Sequence, residues 1–144
     1  MTQNILILLT FYKCICINVF AAELVEHIER NEEEFGFMEL TFRWMNCLLM
    51  RELPMRLIFR LWDTYFSEDR GVEQFHVYVC AALLLHFSKQ LKEMDFHDVI
   101  SFVQKLPTQT DDWSVQQLEE LLSYAYIYKS SFGSTSGHLV SMVE

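Results

Sequence analysis

The stretch RWMNCLLMRELPMRLIFRLWD, residues 43–63, gathers Arg43, Arg51, Arg56 and Arg60 around two carboxylates, Glu52 and Asp63. Guanidinium groups stay charged and donate hydrogen bonds in pairs from a planar fork, so the cluster looks catalytic at first sight. A plainer reading competes with it: a helical repeat of about 3.6 residues already accounts for the arginine spacing, as surface charges and intramolecular pairs. We favour the plainer reading from spacing alone.

Other chemistry finds less support. His27, His76, His86, His97 and His138 are scattered, without an H-E-x-x-H pattern or the order of a nucleophilic triad. His86 closes an apolar run and reads as a core-edge residue rather than a ligand. Cys14, Cys16, Cys47 and Cys80 match neither a zinc site nor a disulfide framework. Cys47 and Cys80 fall in apolar helical patterns, where a free cysteine behaves as a small hydrophobe, which implies a reducing compartment. No metal and no cofactor follow.

The elements that must position the arginines are helical. Residues 38–50 place Phe42, Met45 and Leu49 on one side, Leu40, Trp44 and Leu48 beside them, and Glu39 and Arg43 as an i,i+4 pair opposite. Pro54 breaks that helix and suits the first turn of the next. There Leu57, Ile58, Leu61, Trp62 and Tyr65 form an apolar stripe, while Arg56, Arg60, Asp63 and Ser67 lie on the other face. After the turn SEDRG comes VYVCAALLL, an apolar run too short to cross a bilayer, predicting a central helix covered on all sides.

Two helix starts are written in local chemistry. Asp95 can cap a helix whose first turn holds Asp98, with Phe96, Val99, Ile100 and Val103 on its buried side. Ser114 and Gln117 make a capping box, with Trp113 placed to pack on Leu118, and Leu118, Leu121, Leu122 and Ala125 continue the apolar face toward Phe132. The pattern predicts an all-α bundle of about five or six helices.

Composition bounds the rest. The chain has 144 residues, 51% of them apolar and 15% aromatic, with four Gly and two Pro, which is globular composition. A formal net charge of −9 with 11 basic residues argues against a nucleic-acid partner, since phosphate binding needs clustered cations. Six Glu and one Arg between residues 23 and 34 read as a solvated face. Residues 5–22, ILILLTFYKCICINVFAA, hold fifteen apolar residues in eighteen. A signal peptide or membrane anchor is one account of that segment. Lys13 interrupts the run, however, and Thr10 and Asn18 dilute it, so a buried helix or a non-native start to the domain is preferred. The organisation expected is an apolar segment of uncertain status over 1–22, a helical domain over 23–132 and a disordered tail over 133–144.

At FRWMNCLLMRE, LWDTYFSE and FHVYVCAALL the chain resembles the C-terminal half of a TBC domain, the catalytic module of Rab GTPase-activating proteins. Within that family it resembles the branch of the yeast Golgi-acting Rab GAP and its animal relatives. The likeness runs from about residue 24 to 132, with the blocks in order. It implies an all-helical fold, a Rab-type small GTPase as partner, and a GTPase activator rather than an enzyme. It also implies a cytoplasmic location, peripheral at Golgi or secretory-pathway membranes, in vesicle trafficking and intracellular protein transport. Arg43, Trp44, Glu52, Trp62 and Asp63 stand at signature positions, in a structural role, and Arg51, Arg56 and Arg60 are candidate GTPase contacts.

The resemblance also carries a departure. Family members are understood to supply an arginine finger from I-x-x-D-x-x-R and a glutamine finger from Y-x-Q, the one neutralising phosphoryl charge and the other orienting the attacking water. No arginine here has an Asp three residues before it, and no glutamine has a Tyr two residues before it. The expectation is a partial Rab GAP, inactive alone. Its alternative is a noncatalytic helical module that binds a Rab or an adaptor. Half of such a domain should leave apolar helix faces uncovered.

Overall fold

The computed structural model describes residues 42–109 and 113–140, with side chains described as far as residue 131. Among these residues every regular element is helical. Helix α1 covers 42–47, α2 Met55–Ser67, α3 His76–His86, α4 Ser88–Lys92, α5 Phe96–Gln104 and α6 Val115–Val140. A single wide π turn, Gly71–Phe75, leads directly into α3, and a 3₁₀ turn, Pro107–Gln109, follows α5.

The core forms around α3. Val77 through Leu84 are all buried, as a helix apolar on every side requires, and the principal packing partner is α6. From α6 come Leu118, Leu121, Leu122 and Ala125; from α2, Leu57, Ile58, Leu61 and Tyr65; from α5, Phe96, Val99 and Val103. Ile100, expected on the buried side, is half-buried at its edge.

Local chemistry sets the helix starts as read. Pro54, with φ −59°, stands immediately before α2. The Asp95 carboxylate accepts from the Asp98 backbone N–H at 2.9 Å. Ser114 Oγ accepts from the Gln117 N–H at 3.2 Å while Gln117 Oε1 accepts from the Ser114 N–H at 2.8 Å, which closes the capping box. Trp113 is buried in the same core as Leu118.

Two boundaries and one burial differ from the expectation. The helix predicted over 38–50 ends at 47, because Leu48 and Leu49 take left-handed backbone, φ 49° and 60°. Each costs about 1 kcal/mol, and surrounding contacts hold them: Leu49 is fully buried and the Leu48 carbonyl accepts from Trp62 Nε1 at 3.2 Å. Phe42, expected on the apolar side of that helix, is 53% exposed. Finally, α6 runs to Val140, into the stretch read as a tail, since no proline interrupts the ladder there. Residues 1–22 and 141–144, and Glu39 of the expected i,i+4 pair, lie outside the described residues. Among the described residues no helix is long and apolar enough to cross a membrane.

Candidate functional site

The arginines of the opening stretch turn to separate partners. The reversal after α1 brings Glu52 back beneath Arg43, whose Nε and Nη2 donate to Glu52 Oε1 at 3.0 and 2.6 Å. Glu52 is fully buried. Its backbone carbonyl accepts from Thr108 Oγ1 at 2.6 Å, and Arg43 Nη2 reaches the Gln104 carbonyl at 3.3 Å. This cluster fastens α1, the reversal and the segment after α5 to one another. Trp44 is buried beside it, and Trp62 closes over the reversal through its bond to Leu48.

On α2, Arg56 Nη2 donates to the Trp113 carbonyl at 2.6 Å, fixing the entry to α6. Arg60 donates to Thr64 Oγ1 and engages Glu119 with both arms, Nε to Oε1 at 2.7 Å and Nη2 to Oε2 at 3.1 Å. That pair is about 40% exposed on both sides, so solvent screens it and it contributes well under 1 kcal/mol. Arg60 and Asp63 share an open groove between α2 and α6, about 410 Å³, with Ser67, Glu119, Ser123 and Tyr126. Arg51 is exposed on the reversal, and no partner is recorded for it among the described residues.

At the far end of the groove Glu68 accepts from Lys129 Nζ at 2.7 Å and from the Tyr126 hydroxyl at 2.5 Å. The hydrogen bond from Lys129, then that from Tyr126, holds the Glu68 carboxyl below its usual range. Desolvation and the Glu68 hydrogen bond push the Tyr126 phenol up to about 12.

Sequence reasoning assigned no role to a third buried polar residue, His76. Its Nε2 lies 3.0 Å from the Trp44 carbonyl and its Nδ1 lies 2.6 Å from the Tyr65 hydroxyl. A carbonyl only accepts, so Nε2 carries the proton and Nδ1 accepts from Tyr65. Cys80 Sγ sits 3.5 Å from Nε2. Burial lowers the imidazole to about 4 and raises Tyr65 and Cys80 well above their ordinary values, so all three stay neutral. An available signal was the unbroken apolar run that follows it, Val77–Leu84, so a histidine at its start must find partners inside.

The consequence is a pH dependence with a definite sign. Folded His76 titrates near 4 and an unfolded histidine near 6.5, so between those values the unfolded chain binds the extra proton. The contribution is complete above pH ~6.5 and falls as pH drops toward 4, by about 3 kcal/mol at the limit. Urea unfolding at pH 7 and 4.5 measures it. The variant His76→Gln should be less stable at pH 7 yet show a flatter pH slope.

His86, expected at the core edge, is exposed with its ring edge-on to Trp113 at 5.7 Å and Phe87 at 4.8 Å. Among the described residues no three His, Cys, Asp or Glu side chains converge as metal ligands.

Comparison with known proteins adds to this geometry. The model of the Rab-GTPase-TBC domain matches residues 4–92, beginning inside the apolar segment set apart above. The chain is 46% identical over 117 residues to GTPase-activating protein gyp1 of Schizosaccharomyces pombe, covering 81% of this chain and 22% of that relative. It is 43% identical over 113 residues to human TBC1 domain family member 22A, covering 78% and 22%. The crystal structure of the Ypt/Rab-GAP domain of Gyp1p superposes with a TM-score of 0.76 at 43% identity, covering 88% of this chain and 38% of that one. The chain thus spans about a fifth of the length of these curated relatives.

Proposed function

The chain belongs to the Rab-GTPase-TBC domain family, and we propose that it is the C-terminal part of a Rab GTPase-activating domain, engaging a Rab-type GTPase without supplying the catalytic fingers. One observation carries the second half of this reading. Arg43, Arg56 and Arg60 are each committed to an intramolecular acceptor, on Glu52, Trp113 and Glu119 respectively, so none is presented as an arginine finger. The absence of both finger patterns from the sequence supports it.

In this reading Arg43, Trp44, Glu52 and Trp62 are architectural: they lock the reversal after α1 so that α2 is held against α3. Asp63, on the wall of the α2–α6 groove, is structural with them, and Arg51, Arg56 and Arg60 are the contacts for the GTPase. The helical domain is placed at residues 23–132, with the family match reaching back to residue 4 in the apolar segment before it. Placement in vesicle trafficking, in the cytoplasm and peripheral at Golgi or secretory-pathway membranes, rests on the resemblance to that branch of the family.

The alternative, a noncatalytic module that binds a Rab or adaptor, is favoured by the same committed arginines. Binding of a GTP-loaded Rab at micromolar concentration, with single-turnover hydrolysis unchanged by the chain alone, is expected of both. A rise in rate when a finger-bearing N-terminal portion is added in trans belongs to the first reading only, and its absence favours the alternative. An arginine finger accounts for roughly 10³- to 10⁵-fold in rate, so acceleration of that size by residues 1–144 alone would refute the fingerless reading.

A further inference from the structure

Helix α2 carries two apolar faces. Leu57, Ile58, Leu61 and Tyr65 are buried against the core. The second stripe, Met55, Phe59, Trp62 and Phe66, looks outward: Met55 is 60% exposed, Phe59 62% and Phe66 75%. Trp62 is half-buried, its indole fixed by the Leu48 carbonyl, and forms the seat of the stripe. Two phenylalanines and a methionine this open on one 13-residue helix form a contiguous patch of the kind that marks a contact surface.

The spacing says what fits it. The intervals along the stripe are four, three and four residues, the same read in either direction. A second copy of α2 laid antiparallel about the midpoint between Arg60 and Leu61 therefore sets Met55 over the other copy's Phe66, and Phe59 over its Trp62. An isologous contact demands this self-complementarity, each residue meeting its counterpart in both directions. The charges agree with it. Arg56 and Asp63, seven residues apart, lie on the same flank of the stripe, and antiparallel pairing brings each Arg56 beside the opposite Asp63. Asp63 is exposed, with no partner recorded among the described residues. Arg56 already donates to the Trp113 carbonyl, which holds its side chain in a set position.

We infer that the outer face of α2 is a homodimerisation surface, two chains pairing antiparallel through Met55, Phe59, Trp62 and Phe66. One helix about 20 Å long per copy makes a small contact, so the dimer forms in the micromolar range. The inference goes beyond the proposed function: it needs no GTPase, although Arg56 serves in both.

Sedimentation equilibrium of residues 1–144 from roughly 1 to 200 µM tests it, a range that brackets micromolar affinity. Reversible monomer–dimer exchange is expected. The double variant F59E/F66E changes only exposed positions, so it should keep the helical circular dichroism and melting transition and remain a monomer throughout. D63R should weaken the dimer about tenfold by setting Arg against Arg, and R56D/D63R should restore it. A chain that stays monomeric at every concentration, a dimer that survives F59E/F66E, or growth beyond two copies would each overturn the surface. Failure of R56D/D63R to recover affinity, in a variant whose circular dichroism is unchanged, would overturn the antiparallel register.

Discussion

Glu52→Ala is expected to lower the stability of the helical bundle by about 4 kcal/mol, a large share of what a domain of this size possesses. The carboxylate is fully buried and receives two hydrogen bonds from one guanidinium, at 3.0 and 2.6 Å. Removing it leaves Arg43, about a quarter exposed, without its counter-charge and opens a cavity under the reversal. That reversal already holds two leucines in left-handed backbone, so it has little stability of its own. Arg43→Ala should cost about as much for the converse reason, a buried carboxylate stripped of its donor. Glu52→Gln keeps volume and an acceptor oxygen and should lose roughly half as much. Urea midpoints of the three variants at pH 7 measure this. Losses below about 1 kcal/mol would place the pair among ordinary surface ion pairs and remove its architectural role.

The second large effect belongs to Gly71→Ala. A Cβ built there would lie 2.0 Å from the Tyr65 carbonyl oxygen, 2.8 Å from its carbon and 2.9 Å from its Cα. All three atoms are backbone, so no rotamer change relieves the clash. Either the π turn or the end of α2 must move, and Tyr65 carries the hydroxyl that satisfies His76. A loss of about 3 kcal/mol or more is expected, with the near-ultraviolet circular dichroism of the aromatic core weakened as well. If the alanine variant melted within a degree or two of the parent, the close approach of Gly71 to Tyr65 would be wrong.

Much of the fold was legible because its signals are local. The stripe Leu57, Ile58, Leu61 and Tyr65 follows helical spacing, the run Val77–Leu84 has no polar face to expose, and the Asp95 cap and the Ser114–Gln117 box are made within a single turn. What stayed hidden depends on contacts distant in sequence. Leucine has no preference for left-handed backbone, so nothing at Leu48 and Leu49 announces a reversal; tertiary burial imposes it. Helical periodicity offers Arg43 a partner four residues away, at Glu39, which lies outside the described residues; it could not announce Glu52, which the reversal delivers. His76 meets Tyr65 through the π turn, a wide turn without sequence signature.

The candidate site divides along the same line. The arginines could be listed from sequence, and intramolecular pairing could be favoured for them from spacing. Their acceptors could not be named: the Trp113 carbonyl and Glu119 lie almost sixty residues from Arg56 and Arg60. The outer stripe of α2 was only half read, since Trp62 was grouped with the buried side while Met55, Phe59 and Phe66 went unremarked. The resemblance points to two finger patterns that spacing alone can look for, and neither pattern occurs in these residues.

Single-turnover GTP hydrolysis by a Rab-type GTPase, measured with residues 1–144 alone and again with a finger-bearing N-terminal portion of a related domain added in trans, tests the account most directly. The rate should stay at the intrinsic value with the chain alone and rise only when the fingers are supplied. Acceleration on the order of 10³-fold by the chain alone would contradict it.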